Sequence, residues 1–112
     1  MNLGYIIKLS GLNMKKILLV GSSGFLGKNV LNQINKENEI FSISGKNDCD
    51  VSNFDSLKSF VSELDFDYII NCAAFVGGIS YGYKYPAEML SVNSKIANNI
   101  FEIAEENSVK LL

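Results

Sequence analysis

From Lys15 onward the apolar residues fall into two alternating patterns. Short apolar runs closed by glycine or polar residues predict strands at Lys16 to Val20, Glu39 to Ser44 and Tyr68 to Cys72. The first of these has no polar alternation, as expected of a strand buried on both faces. Between the strands the apolar residues recur at three and four. Leu26, Val30, Leu31 and Ile34 share one face of a helix from Gly24 to about Asn35. Phe54, Leu57, Phe60, Val61 and Leu64 do the same behind Ser52 or Asn53, either of which can cap a helix. Pro86 suits the first turn of a long helix reaching Glu106, with Met89, Val92, Ile96, Ile100 and Ile103 on its inner face. A very short strand is expected around Asp48 to Val51, and another begins at Val109.

Strands alternating with helices of this length specify βαβ units and a parallel sheet. The expected class is α/β: a Rossmann-type doubly wound parallel sheet, truncated after the start of its fifth strand. Residues 14–112 would form this incomplete domain. Residues 1–13 lack an amphipathic period and precede Met14-Lys15-Lys16, so they read as an N-terminal extension.

Composition narrows the function. With 112 residues, 47% hydrophobic content and a net charge of -2, the chain suits one globular domain and not a disordered segment. A binder of nucleic-acid phosphates would be basic, so that class is set aside. No apolar run is long enough to span a bilayer, so no membrane role is expected. Cys49 and Cys72, without a signal peptide, read as reduced, inert thiols in a cytoplasmic protein. The chain has no histidine, and no Cys or carboxylate cluster has ligand spacing, so no metal site is expected.

The chemistry concentrates in Gly21-Ser22-Ser23-Gly24-Phe25-Leu26-Gly27, between the first strand and the first helix. Gly21 permits the tight turn, Gly24 lets backbone approach a pyrophosphate, and Gly27 lets the helix pack on the sheet. The helix N-terminus then offers unpaired N–H groups and a positive dipole end. The spacing is GxxGxxG, not GxGxxG. Gly27-Lys28 suggests a P-loop, but five residues separate Gly21 from Gly27, and Asn29 stands where Ser or Thr would hold magnesium.

These residues, with Asp50-Val51-Ser52-Asn53 and Asn71-Cys72-Ala73-Ala74, resemble the extended short-chain dehydrogenase/reductases, the NAD-dependent epimerase/dehydratase family of nucleotide-sugar enzymes. Ala73-Ala74-x-Val76-Gly77-Gly78-Ile79, followed by Tyr85-Pro86-Ala87 and Asn93, is similar to the GDP-L-fucose synthase branch. That branch carries out NADPH-dependent epimerisation and reduction of GDP-4-keto-6-deoxy-mannose. The resemblance runs from Lys15 to Leu112. It implies that Gly21, Gly24 and Gly27, with Ser22, Ser23, Phe25 and Leu26 in the loop, hold the coenzyme pyrophosphate. Asp50 would take the adenine amino group beside Val51, and Ala73 and Ala74 would let the coenzyme lie flat. Val76, Gly77 and Gly78 would lie near nicotinamide and sugar, Asn93 would make a structural hydrogen bond, and the complete enzyme would be a homodimer. The competing reading of residues 50–53 is a plain helix-capping turn. That of Ala73-Ala74 is close packing, and that of Tyr81, Tyr83 and Tyr85 is packing on the surface of a loop.

Coenzyme choice turns on the end of the second strand, where a carboxylate would hold the ribose hydroxyls of NAD. Ser44-Gly45-Lys46-Asn47 offers none before Asp48. Ser44 would tolerate a 2′-phosphate and Lys46 would attract it, so NADP is expected, with NAD as the alternative. The family's Tyr-x-x-x-Lys is absent, so no catalytic residue is assigned and these 112 residues alone are expected to be inactive. Two alternatives stay open: another nucleotide-sugar epimerase or dehydratase, and a non-catalytic NAD(P)-binding regulatory module.

Overall fold

The computed structural model describes residues 14–74 and 79–112. The expectations for residues 1–13 and for Val76, Gly77 and Gly78 lie outside them. Among the described residues, β1 (Lys16–Val20), β2 (Glu39–Ile43), β3 (Tyr68–Asn71) and β4 (Lys110–Leu111) form one parallel sheet in the order β2-β1-β3-β4. The helices are α1 (Phe25–Ile34), α2 (Phe54–Val61), α3 (Ile79–Lys84) and α4 (Pro86–Glu106).

The period of two along each strand divides the core between the two faces of the sheet. Leu18, Val20 and Ile69 face α2 and α4, packing with Leu57, Val61, Ile96, Ile100 and Ile103. Ile17, Leu19 and Ile70 face the other way, against Val30 and Ile34 of α1. Both faces are covered, which is why the first strand reads as an unbroken apolar run. Each fully buried aliphatic side chain contributes about 1.5–3 kcal/mol, so these central strands dominate stability.

Local chemistry sets the boundaries. Asn53 caps α2 by accepting from the Ser56 N–H at 3.0 Å, a contact worth about 1 kcal/mol. Pro86 opens α4. That helix ends in a two-bond C-terminal cap, with Ser108 N–H donating to Glu105 C=O at 3.2 Å and Val109 N–H to Ala104 C=O at 3.1 Å. Ser108 takes φ 54° to make that turn, and β4 therefore starts at Lys110, one residue beyond Val109.

Two expectations require correction. Residues 48–51 form a turn, not a strand: the N–H groups of Asp48 and Cys49 both donate to Gly45 C=O, and Asn53 N–H donates to Asp50 C=O. With those groups committed to the turn, β2 is the sheet edge, and the strand after α4 is the fourth among the described residues, not the fifth. The tyrosine-rich segment is a short helix, α3, and not a loop.

The chain leaves β1 toward β2 on one side, while β3 and β4 lie on the other. Connections diverging in this way open a crevice beyond the carboxyl ends of adjacent strands, the place where ligands bind in open α/β sheets.

Candidate functional site

The crevice is a cavity of about 250 Å³ beyond the ends of β1, β2 and β3. Of the residues expected from sequence, it brings together Gly21, Ser23, Gly24, Ser44, Lys46, Asp50, Val51, Ala73 and Ala74. Val20, Ile43, Val92 and Ile96 add an apolar wall, and Gly45, Cys49, Ser52 and Cys72 complete it. Val92 and Ile96 are readable in sequence as core positions; their reach into the crevice depends on how α4 crosses the sheet.

At one end lies the glycine loop. Gly21 has φ +82°, and a Cβ there would lie 2.6 Å from the Ala73 nitrogen. Its N–H and that of Ser22 both donate to Ile43 C=O, at 2.8 and 3.2 Å, which ties the loop to the end of β2. A Cβ on Gly27 would stand 1.9 Å from Gly21 O, so α1 can approach the loop only with glycine there. Gly24 differs. Its φ is -73°, and its nearest neighbour to an added Cβ is Gly21 O at an ordinary 3.7 Å. The fold does not require glycine at position 24, which lines the cavity.

Gly24 is also the N-cap of α1, and it makes no side-chain cap. The first intrahelical bond runs from Lys28 N–H to Gly24 C=O at 2.9 Å. The first-turn N–H groups of Phe25 and Leu26 precede that bond, leaving donors at the positive end of the helix dipole. The Phe25 side chain is 89% exposed and Leu26 is exposed too, and neither lines the cavity, so what these two residues offer at this end is backbone. Ser22 and Gly27 are buried within the loop and do not line the cavity.

The opposite wall, over residues 44–52, is held by side chains. Ser44 donates to Asp48 Oδ2 from its N–H at 2.8 Å and from its hydroxyl at 2.6 Å. These two bonds hold the Asp48 carboxyl below its usual value. Ser23 Oγ donates to Ser44 C=O at 2.5 Å, linking this wall to the glycine loop. Asp50 Oδ1 accepts from Ser52 N–H at 3.1 Å and Ser52 Oγ at 2.6 Å, and the hydroxyl bond chiefly lowers its pKa. Asp50 Oδ2 accepts no hydrogen bond among the described residues. The capping reading of residues 50–53 is met by Asn53, which caps α2, and Asp50 lines the cavity beside it. Asn99 of α4 donates from Nδ2 to Val51 C=O at 3.0 Å and fixes this turn. Its contribution needs a tertiary contact spanning 48 positions and leaves no local signal in sequence.

Asn71 Oδ1 accepts from Ala73 N–H at 2.9 Å and bends the chain as it leaves β3, setting Ala73 and Ala74 on the floor. Burial raises the pKa of Cys49 and Cys72, which keeps both as thiols. Asn93 is half-buried and engaged. Tyr81 donates to Glu88 Oε2 at 2.7 Å and packs on Tyr85 with ring centroids 4.9 Å apart.

A family model described as the NAD dependent epimerase/dehydratase family matches residues 17–112. The chain belongs to that family. It is 28% identical over 98 residues to a GDP-L-fucose synthase of Dictyostelium discoideum, covering 85% of this chain and 31% of that protein. It is 27% identical over 97 residues to a GDP-L-colitose synthase of Yersinia pseudotuberculosis, covering 87% of this chain and 32% of that one. The chain thus spans about a third of the curated relatives it matches. Among solved structures, a GDP-L-fucose synthetase from Naegleria fowleri bound to NADP matches with TM-score 0.69 at 24% identity, covering 88% of this chain and 29% of that one. That likeness establishes the α/β Rossmann-type fold. Among the described residues no helix is long and apolar enough to cross a membrane.

The residues present fit a dinucleotide on observations independent of the relatives. Gly24 lines the cavity and leaves its backbone uncovered there, the donors of the first α1 turn suit a diphosphate, and the apolar wall with the second oxygen of Asp50 suits an adenine bearing an amino donor.

Proposed function

We propose that this chain is the coenzyme-binding part of a nucleotide-sugar oxidoreductase of the GDP-L-fucose synthase type, using NADP(H) to epimerise and reduce GDP-4-keto-6-deoxy-mannose. The observation that carries the reading is Gly24, which lines the cavity although the fold does not require glycine there; in this reading it is a diphosphate that does. In this reading the N–H groups of the loop and first helical turn bind the diphosphate. Asp50 and Val51 receive the adenine, Lys46 attracts the 2′-phosphate, and Ala73 and Ala74 carry the coenzyme toward the nicotinamide end. Val76, Gly77 and Gly78 are assigned to the nicotinamide and the sugar by resemblance. The bound nicotinamide supplies hydride; residues of the chain bind it, orient it and exclude water.

The names of the relatives support the GDP-sugar class, and the NADP in the Naegleria structure supports the coenzyme. The 112 residues contain no Tyr-x-x-x-Lys, so the proposed reaction draws its proton-transfer groups from outside them. The complete enzyme is proposed to be a cytoplasmic homodimer. The test is turnover by the full-length protein: NADPH oxidation that depends on GDP-4-keto-6-deoxy-mannose and yields GDP-L-fucose is expected. Turnover only with UDP- or dTDP-linked 4-keto sugars would overturn the substrate, and coenzyme binding without turnover of any nucleotide sugar would overturn the enzymatic reading.

A further inference from the structure

Two walls of the cavity come from parts of the chain far apart in sequence. The turn after β2 contributes Asp50, Val51 and Ser52, and α4 contributes Val92 and Ile96. The bonds that shape the turn are local. Asp48 and Cys49 N–H groups donate to Gly45 C=O, Asn53 N–H donates to Asp50 C=O, and Ser52 donates to Asp50 Oδ1. They fix the fold of the turn itself. Val51 also packs on the core between α2 and α4, a contact without direction. The directional tie between turn and helix is Asn99. With Val92 and Ile96 it falls on one face of α4, and its Nδ2 donates to Val51 C=O at 3.0 Å. A carbonyl can only accept, so the amide nitrogen of Asn99, not its oxygen, must face it. Asn99 is half-buried and does not line the cavity; it acts through the backbone of a residue that does.

We propose that Asn99 is a positioning residue for the adenine end of the coenzyme site: by holding Val51 C=O it sets the separation of the turn from α4, and so the width of the slot in which Asp50 and Val51 would receive the adenine. The inference rests on the dinucleotide reading above and deepens it, naming what keeps the adenine subsite preformed. A preformed slot costs the ligand little ordering on binding, whereas a turn without its pin must be ordered by the ligand. That cost falls on the adenine half. The other half of the coenzyme lies against the glycine loop and Ala73, which are held by backbone packing and by Asn71.

The test is calorimetric titration of the full-length protein with NADPH and with its two halves, 2′-phospho-AMP and reduced nicotinamide mononucleotide, alongside thermal melting. Asn99→Leu removes the donor; Asn99→Asp keeps the shape and sets an oxygen against Val51 C=O. In each variant that melts as a folded protein, NADPH and the adenosine half are expected to bind about fivefold to tenfold more weakly, and the nicotinamide half as in wild type. A loss shared equally by both halves assigns Asn99 to general stability and overturns its role at the adenine, as does unchanged affinity for the adenosine half. A wild-type protein that binds neither NADPH nor the adenosine half overturns the underlying coenzyme reading instead.

Discussion

The two ends of the cavity are built by different means. The glycine loop is shaped by backbone packed against backbone: Gly21 against the Cys72–Ala73 peptide, and Gly27 against Gly21 O. The opposite wall is shaped by side chains closing on nearby backbone and on one another, Asp48 on Ser44 and Asp50 on Ser52, with Asn99 pinning the turn from α4. Steric requirements of the first kind have no substitute. Hydrogen bonds of the second kind can be exchanged for others of similar worth, about 0.5–1.5 kcal/mol each. The loop should therefore fail abruptly on substitution and the opposite wall gradually.

Gly27→Ala should give the largest effect. A methyl 1.9 Å from Gly21 O forces α1 away from the loop, at a cost of about 2–3 kcal/mol in stability and with loss of measurable coenzyme affinity. Denaturant melts and coenzyme titration together check this, and wild-type values in both would refute close packing at the loop.

Asp50→Asn should act more weakly and with a pH signature. Because the folded Asp50 carboxyl ionises below its unfolded value, its contribution to stability is present above roughly pH 4 and disappears as pH falls through the folded pKa. The unfolding midpoints of wild type and the Asp50→Asn variant should accordingly differ at pH 7 and converge as pH falls below the folded pKa of Asp50. A difference that persists unchanged at low pH would mean that Asp50 contributes packing and not charge.

The same contrast explains what is legible in sequence. Gly21 and Gly27 are readable because a site that tolerates only glycine leaves glycine in the chain. The core strands are readable because burial on both faces leaves unbroken apolar runs such as Ile17-Leu18-Leu19-Val20. The Asp48–Ser44 contact is harder to read, because it needs a turn at Gly45 that brings together residues four apart. The expected strand at residues 48–51 fails for the same reason: its polar groups satisfy each other locally before any ladder can form. Helix α3 is hidden because Ser80-Tyr81-Gly82-Tyr83-Lys84 has no apolar period; Tyr81 instead bonds Glu88 of α4.

Gly24 joins the two halves of the comparison, since it belongs to the loop yet is free of the loop's packing. The most direct test of the dinucleotide site is titration of NADPH into full-length wild-type protein and Gly24→Ala, with the stability of each measured alongside. The account predicts stabilities within about 0.5 kcal/mol of each other and an affinity at least about tenfold weaker in the variant, because the added methyl meets only the ligand. Equal affinity in the two proteins would contradict it.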